Sequence, residues 1–183
     1  MLIYEEFPYL QDHTIEIRKM VEADVDALSE ITDNDSIYKF IPYFLYKKSR
    51  GNLLAAIKNL GGRDFEKKKL IIAGIYLKND RDHLIGLAEM FDYKKGKRCM
   101  TIGYKINETY WNQGIATCTV GLLKDYLLSM DDIDFVNAYV MPENIPSAKV
   151  LMHNGFAKMP QQKEEKNWGG KEKVIVDEFI AMI

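Results

Sequence analysis

Apolar and polar residues first alternate at Thr14–Arg18 (TIEIR), where Ile15 and Ile17 share one side and a strand is expected. The residues before it read as an arm leading into that strand. Val21, Val25, Leu28 and Ile31 then recur at helical spacing, with Glu22, Asp24 and Asp26 where a first turn favours negative charge. Residues 36–49 (SIYKFIPYFLYKKS) are aromatic-rich and irregular, broken by Pro42. Asn52–Leu60 reads as a second helix ended by Gly61 and Gly62. From Leu70 the pattern changes to strands. Leu70–Leu77 is apolar throughout, Lys78–His83 is a polar turn, and Leu84–Tyr93 pairs back as a hairpin. The basic turn KKGKR leads to a third strand, Cys99–Ile106. Ile115–Met130 is a long amphipathic helix, followed by the strand Phe135–Val140. Pro146 marks the first turn of a further helix that ends at Asn154-Gly155. Phe156–Met159 and Val174–Ile180 are expected to close the sheet, joined by the charged loop QQKEEKNWGGKEK. The order β-α-α-β-β-β-α-β-α-β-β predicts an α/β fold: a mixed, mostly antiparallel sheet with helices on its faces.

Composition narrows the function classes. The 183 residues suit one domain, 1–183, with a core over about 14–180, and 47% hydrophobic with 28% charged is an ordinary globular balance. A net charge of −2 and a pI near 6.0 give no support to nucleic-acid binding. Cys99 and Cys118 belong to no closely spaced ligand cluster, and His13, His83 and His153 are far apart, so no metal site is expected. The N-terminal residues MLIYEEFPYL lack the basic start of a signal peptide, and no segment reaches about 18 uninterrupted apolar residues. A cytoplasmic protein, monomer or homodimer, with no membrane partner is the expectation.

The segment richest in chemistry is residues 102–117, IGYKINETYWNQGIAT. A strand ends at Ile106, a polar loop turns, and a long helix opens on Gly114-Ile115-Ala116-Thr117. Free N–H groups and the positive dipole end at a helix start make a seat for phosphate. Gly114 has no Cβ to obstruct an anion, Ala116 keeps the turn small, Thr117 adds a hydroxyl and Gln113 an amide. A glycine at a helix start can equally be a mere turn residue. Downstream stands MPENIPSAKVLMHNGF, with Asn144-x-x-Ser147 and Asn154-Gly155-Phe156.

Together Ile102-Gly103-Tyr104-Lys105-Ile106, then Tyr110-Trp111-Asn112-Gln113-Gly114-Ile115-Ala116-Thr117, then Asn144 through Phe156 resemble the GNAT superfamily of acyl-CoA N-acyltransferases. Within it the chain is similar to the RimJ/RimL branch of protein N-terminal acetyltransferases. The resemblance implies acetyl-CoA as cosubstrate and an amine acceptor. It implies a pantetheine arm between Cys99–Ile106 and Phe135–Val140, hydrogen-bonded to the first as an added strand would be. It places pyrophosphate on the amides of Gln113, Gly114, Ile115, Ala116 and Thr117, and the acetyl carbonyl on backbone N–H groups near Lys105 and Ile106. Asn144 would anchor the cosubstrate near its thiol.

Two departures from family patterns bear on proton transfer. Thr101 stands where the strand often carries glutamate, and Leu151 where many members carry a tyrosine acid. Alternation puts Leu87, Glu89 and Phe91 on one face of the neighbouring strand, so Glu89 is the candidate base, its pKa raised by burial. Glu89 could instead bind a cationic amine, face solvent or pair with a lysine. Ser147 is the candidate acid or a cosubstrate contact, against the reading of a first-turn serine. Tyr38, Phe40, Tyr43, Phe44 and Tyr46 are expected to cover the core or line the acceptor entrance, and the charged runs 66–69 and 161–173 to be solvated. Cys118 reads as a core residue. Three functions stay open: an acetyltransferase for a peptide α-amine, one for a polyamine or other small amine including an antibiotic, and a non-catalytic acyl-CoA-binding module.

Overall fold

The computed structural model describes residues 1–44 and 48–183, so Tyr46 lies outside the described residues. Its strands are β1 (Leu10–Gln11), β2 (Ile15–Arg18), β3 (Leu70–Leu77), β4 (Asp80–Lys94), β5 (Cys99–Ile106), β6 (Phe135–Val140), β7 (Ala157–Trp168) and β8 (Lys171–Met182). Its α-helices are α1 (Val25–Thr32), α2 (Arg50–Gly61), α3 (Arg63–Glu66), α4 (Ile115–Leu128) and α5 (Ile145–His153). The strands form one sheet in the order β1-β2-β3-β4-β5-β6-β8-β7. Every neighbouring pair is antiparallel except β5–β6, because α4 carries the chain back between these two.

Residues of β3 are buried on both faces, which explains its uninterrupted apolar run. One core layer packs Ile15, Ile17, Ala73, Met90, Ile102, Val120, Leu123 and Phe179 with α4. The other packs Leu28, Ile31, Leu53, Ile57, Tyr76 and Leu87 with α1 and α2. In the β3–β4 ladder Ile75 faces Gly86 while Tyr76 faces Leu84. Ile85 is therefore an extra, bulged residue, and Leu84 and Leu87 both reach the α1–α2 layer while Ile85 and Ala88 reach the other. Glu89 consequently lies on the α1–α2 face of the sheet.

Two expectations need correction. The turn before β4 is shorter than Lys78–His83, since the strand begins at Asp80. The N-terminal arm packs on the domain: Ile3 and Tyr4 are buried, and β1 pairs with β2. The charged segment 161–173 is not a loop but the outer half of the β7–β8 hairpin, closed by Gly169 and Gly170 at positive φ. An edge strand with one or both faces in water carries no apolar alternation to betray it. The hairpin tip docks on the irregular segment before α2: the Gly169 N–H donates to the Ile41 carbonyl (3.1 Å), and Trp168 bridges to Pro42.

Pairing between β5 and β6 stops early. Cys99, Met100 and Thr101 pair with Phe135, Val136 and Asn137, whereas Ile102–Ile106 and Ala138–Val140 run on unpaired with each other. The sheet opens there into a V.

Candidate active site

The segment leading into α4 is a tied loop. Trp111 Nε1 donates to the Ile106 carbonyl (2.8 Å), and Gln113 Nε2 donates to the Thr109 carbonyl (3.1 Å). Asn112 (φ 59°) and Gly114 (φ 78°) turn the chain into α4. The first intrahelical bond runs from the Cys118 N–H to the Gly114 carbonyl (3.0 Å), which leaves the N–H groups of Ile115, Ala116 and Thr117 without helical partners. No side chain caps them, and no acidic residue occupies the first turn. A Cβ on Gly114 would meet no protein atom within 4 Å, so the space in front of this helix start is open. These features fit an anionic group. Gln113, whose amide was expected at the mouth, spends it on the loop.

The open side of β5 begins past Thr101. Alternate residues of a strand send their N–H and C=O groups to opposite edges, so part of Ile102–Ile106 presents backbone groups to the V. Lys105 and Ile106 are the last residues of this unpaired stretch. Asn137 closes the vertex, and its buried Oδ1 has no hydrogen-bond partner among the described residues. A buried acceptor left unsatisfied is costly unless a ligand or water meets it.

On the far side of the V stands α5. Asn144 is its N-cap, accepting from the Ser147 N–H (3.4 Å). Its side-chain oxygen therefore has a structural task besides any contact with cosubstrate. The Tyr104 hydroxyl donates to Ser147 Oγ (3.1 Å), a bond that spans from β5 to α5. Burial raises the Tyr104 pKa, which keeps the phenol protonated. Leu151 is buried in the core, one turn beyond Ser147. Tyr104 was missed from the sequence, because it stood inside the motif as an ordinary strand aromatic.

The opposite face of the V holds a cleft of about 280 Å³. Thr101, Gly103 and Lys105 of β5 lie on this face beside Glu89 and Phe91 of β4. Lys105 Nζ donates to Glu89 Oε1, with side-chain exposures of 4% and 13%. Glu89 is thus not an isolated carboxylate; the lysine pairing weighed against its catalytic role is present. Lys105 was noted only for its backbone, although period-two spacing from Thr101 sets its side chain on Glu89's face. Tyr38 is buried with an unpartnered hydroxyl, and burial and then the Glu89 charge push its phenol pKa up. Phe40 packs near Trp168, Tyr43 is exposed and stacks on Tyr38 (5.3 Å), and Phe44 packs on the α1–α2 core.

Ile41, Pro42 and Trp168 wall the cleft, and Tyr139, Lys163 and Glu165 continue it. Lys163 sits over the Tyr139 ring (4.4 Å) and pairs with Glu165 (2.5 Å). Asp92 pairs with Lys94 (2.9 Å). The run 161–173 therefore supplies part of the site, whereas residues 66–69 are exposed as expected. Burial, with Asp12 beside it, raises the Cys118 thiol pKa, in keeping with a packing residue.

The V-shaped sheet, the open helix start and the cleft are accounted for by one family. The profile of the acetyltransferase (GNAT) domain matches residues 14–157, and the chain belongs to that family; by class it is an N-acetyltransferase. It is 27% identical over 154 residues to the uncharacterized N-acetyltransferase p20 of Bacillus licheniformis, covering 81% of this chain and 82% of that one. Its fold is similar to RimL, a ribosomal L7/L12 α-N-protein acetyltransferase in complex with coenzyme A (TM-score 0.81, 17% identity, 96% and 98% of the two chains). It is also similar to MccE, a microcin C7 self-immunity acetyltransferase in complex with acetyl-CoA and AMP (TM-score 0.80, 14% identity, 94% of each). Among the described residues no helix is long and apolar enough to cross a membrane.

Proposed function

We propose that this chain moves the acetyl group of acetyl-CoA to a primary amine, and that the acceptor is a protein or peptide N-terminal α-amine. The carrying observation is a continuous path: unpartnered N–H groups at the start of α4, an unpaired β5 edge, and a carboxylate in the cleft beyond it. Acetyl-CoA, when bound, supplies an acyl group already activated as a thioester. The N–H groups of residues 115–117 hold its phosphates, with Gly114 giving access. Backbone groups near Lys105 and Ile106 orient the arm and the acetyl carbonyl. Glu89 takes the proton that the acceptor ammonium must lose, and Ser147 donates one to the departing sulfur.

Charge in the cleft supports an acceptor with a single cationic centre. Asp92, Glu165 and Glu89 each have a lysine partner, so among the described cleft residues no set of free carboxylates converges on a polycation. Likeness to RimL favours an α-amine. The small, aromatic-walled cleft and the likeness to MccE favour the second reading, a small amine. The deciding experiment is thiol release from acetyl-CoA against peptides, polyamines and aminoglycosides. Faster turnover of peptides is the expected result. Preferential turnover of spermidine or an aminoglycoside would install the second reading, and acetyl-CoA binding without turnover of any amine would leave a non-catalytic module.

A further inference from the structure

Lysine keeps its ammonium in water where it can, and Lys105 does not. Its side chain is 4% exposed, and its Nζ ends on Glu89 inside the cleft. Gly103 makes this arrangement possible. A Cβ at that position would lie 3.2 Å from Glu89 Oε2, so its absence lets the carboxylate lie across β5 at Gly103. Gly103 and Lys105 both belong to the stretch of β5 that β6 has left. The amine is thereby held on the acceptor side of the V, on the carboxylate that would deprotonate an incoming acceptor.

We infer that Lys105 is a self-acetylation site, whose amine takes an acetyl group from cosubstrate bound in the V when no outside acceptor competes. The inference rests on the acetyl-CoA reading of the site. An alkylammonium becomes a nucleophile only after losing a proton, and Lys105 already donates its proton toward Glu89. The step balances without a further reagent. Glu89 takes the first Nζ proton, and a bond forms between Nζ and the acetyl carbon as the carbon–sulfur bond breaks. The second proton that Nζ must lose passes to the released thiolate through Ser147, which is reprotonated in turn, or through solvent. The product is a neutral amide that has lost its charge pairing with Glu89. The reaction stops after one turnover per chain. Holding amine, base and thioester in one cleft supplies the rate advantage of proximity. Surface lysines such as Lys67, Lys149 and Lys173 are exposed to reagent in bulk solution, whereas Lys105 is buried and lines the cleft.

The test incubates the full chain with acetyl-CoA and no added amine, then maps acetyl groups by peptide mass spectrometry, with calorimetry of acetyl-CoA binding in parallel. Expected are a single early acetyl on Lys105, a rate that saturates with acetyl-CoA, and competition by a peptide or small-amine acceptor. Glu89→Gln should slow the modification of Lys105 by about a hundredfold, and heat-unfolded chain should show no preference for Lys105. Lys105→Arg, which keeps the charge beside Glu89 but has no amine of that kind to acetylate, should show no early acetyl at position 105. Acetyl-CoA binding with Lys105 left unmodified overturns the inference and spares the proposed function. Modification of Lys105 that Glu89→Gln leaves at full rate also overturns it. Absence of calorimetric binding overturns the proposed function itself, and this inference with it.

Discussion

Ser147 and Tyr104 are joined by one hydrogen bond across the V, and that bond sets what each can do. A hydroxyl that accepts from Tyr104 has its own proton free to point elsewhere. Ser147→Ala should lower kcat by about ten- to a hundred-fold with little change in acetyl-CoA affinity. The low end of the general-acid range applies because a thiol of pKa about 8.5 is already a fair leaving group. Tyr104→Phe keeps the packing and removes the donor, so it should lower kcat by less than Ser147→Ala. Adding it to Ser147→Ala should cost almost nothing more, since the two act as one unit. Steady-state kinetics of the two single variants and the double variant check this. Fully additive losses would separate the residues, and an unchanged kcat in Ser147→Ala would reduce Ser147 to a first-turn residue capped by Asn144.

Two elements carry the proposed entry of substrates. The start of α4 depends on Gly114 at φ 78°, a region that costs a residue with a Cβ about 1–2 kcal/mol. Since a Cβ there meets no protein atom, Gly114→Ala should fold with a modest loss of stability, while Gly114→Val adds β-branching and strain. Both should weaken acetyl-CoA binding in calorimetry, valine to below detection. A thermal melt run alongside separates loss of site from loss of fold, and unchanged affinity in a folded Gly114→Val protein would dismiss the phosphate seat. The β7–β8 hairpin works at the acceptor side, where Trp168 meets Pro42 and walls the cleft. Trp168→Ala should raise the acceptor KM about tenfold and leave the KM for acetyl-CoA nearly unchanged. Equal effects on both substrates would assign Trp168 to packing. The exposed β7 edge carries charges of both signs and Pro160 within a register shift, devices that discourage pairing with another chain.

At the scale of the whole molecule, the far edge of the sheet is held by a buried carboxylate. Glu16 is fully buried and accepts from Tyr9 (2.9 Å) and Arg18 (3.1 Å), and it pairs with Arg81 (2.9 Å). Burial alone would raise its pKa, but the bonds from Arg81, Tyr9 and Arg18 outweigh it and hold the pKa below the ordinary carboxylate range. A depressed native pKa gives stability that is complete above the unfolded value, about 4.3, and is lost as pH falls through the native value. Urea midpoints should therefore drop as pH is lowered below about 4.3, and Glu16→Gln should flatten that drop. At neutral pH the variant should lose about 1–3 kcal/mol, less than a fully buried pair would because Arg81 is 58% exposed. Identical pH slopes for the two proteins would remove Glu16 from the acid response.

Local sequence was enough for the parts that local physics controls. Period-two and period-3.6 patterns placed β2, α1 and α4, because burial of one face imposes that period on the chain, and an unbroken apolar run placed β3, which is buried on both. The helix start at Gly114, proposed as the phosphate seat, could be read from the sequence because helix-start chemistry involves only neighbours in sequence. What the sequence left undecided depends on residues distant in the chain. The pairing of Glu89 with Lys105 required knowing that β4 and β5 align Glu89 with Gly103. The Tyr104–Ser147 bond required the V between β5 and β6, which no local pattern encodes. The charged run 161–173 became a strand pair and a cleft wall only because the sheet offered an edge and Ile41 and Pro42 a dock. A polar strand is stabilised by the partner it pairs with, and only the tertiary structure supplies that partner.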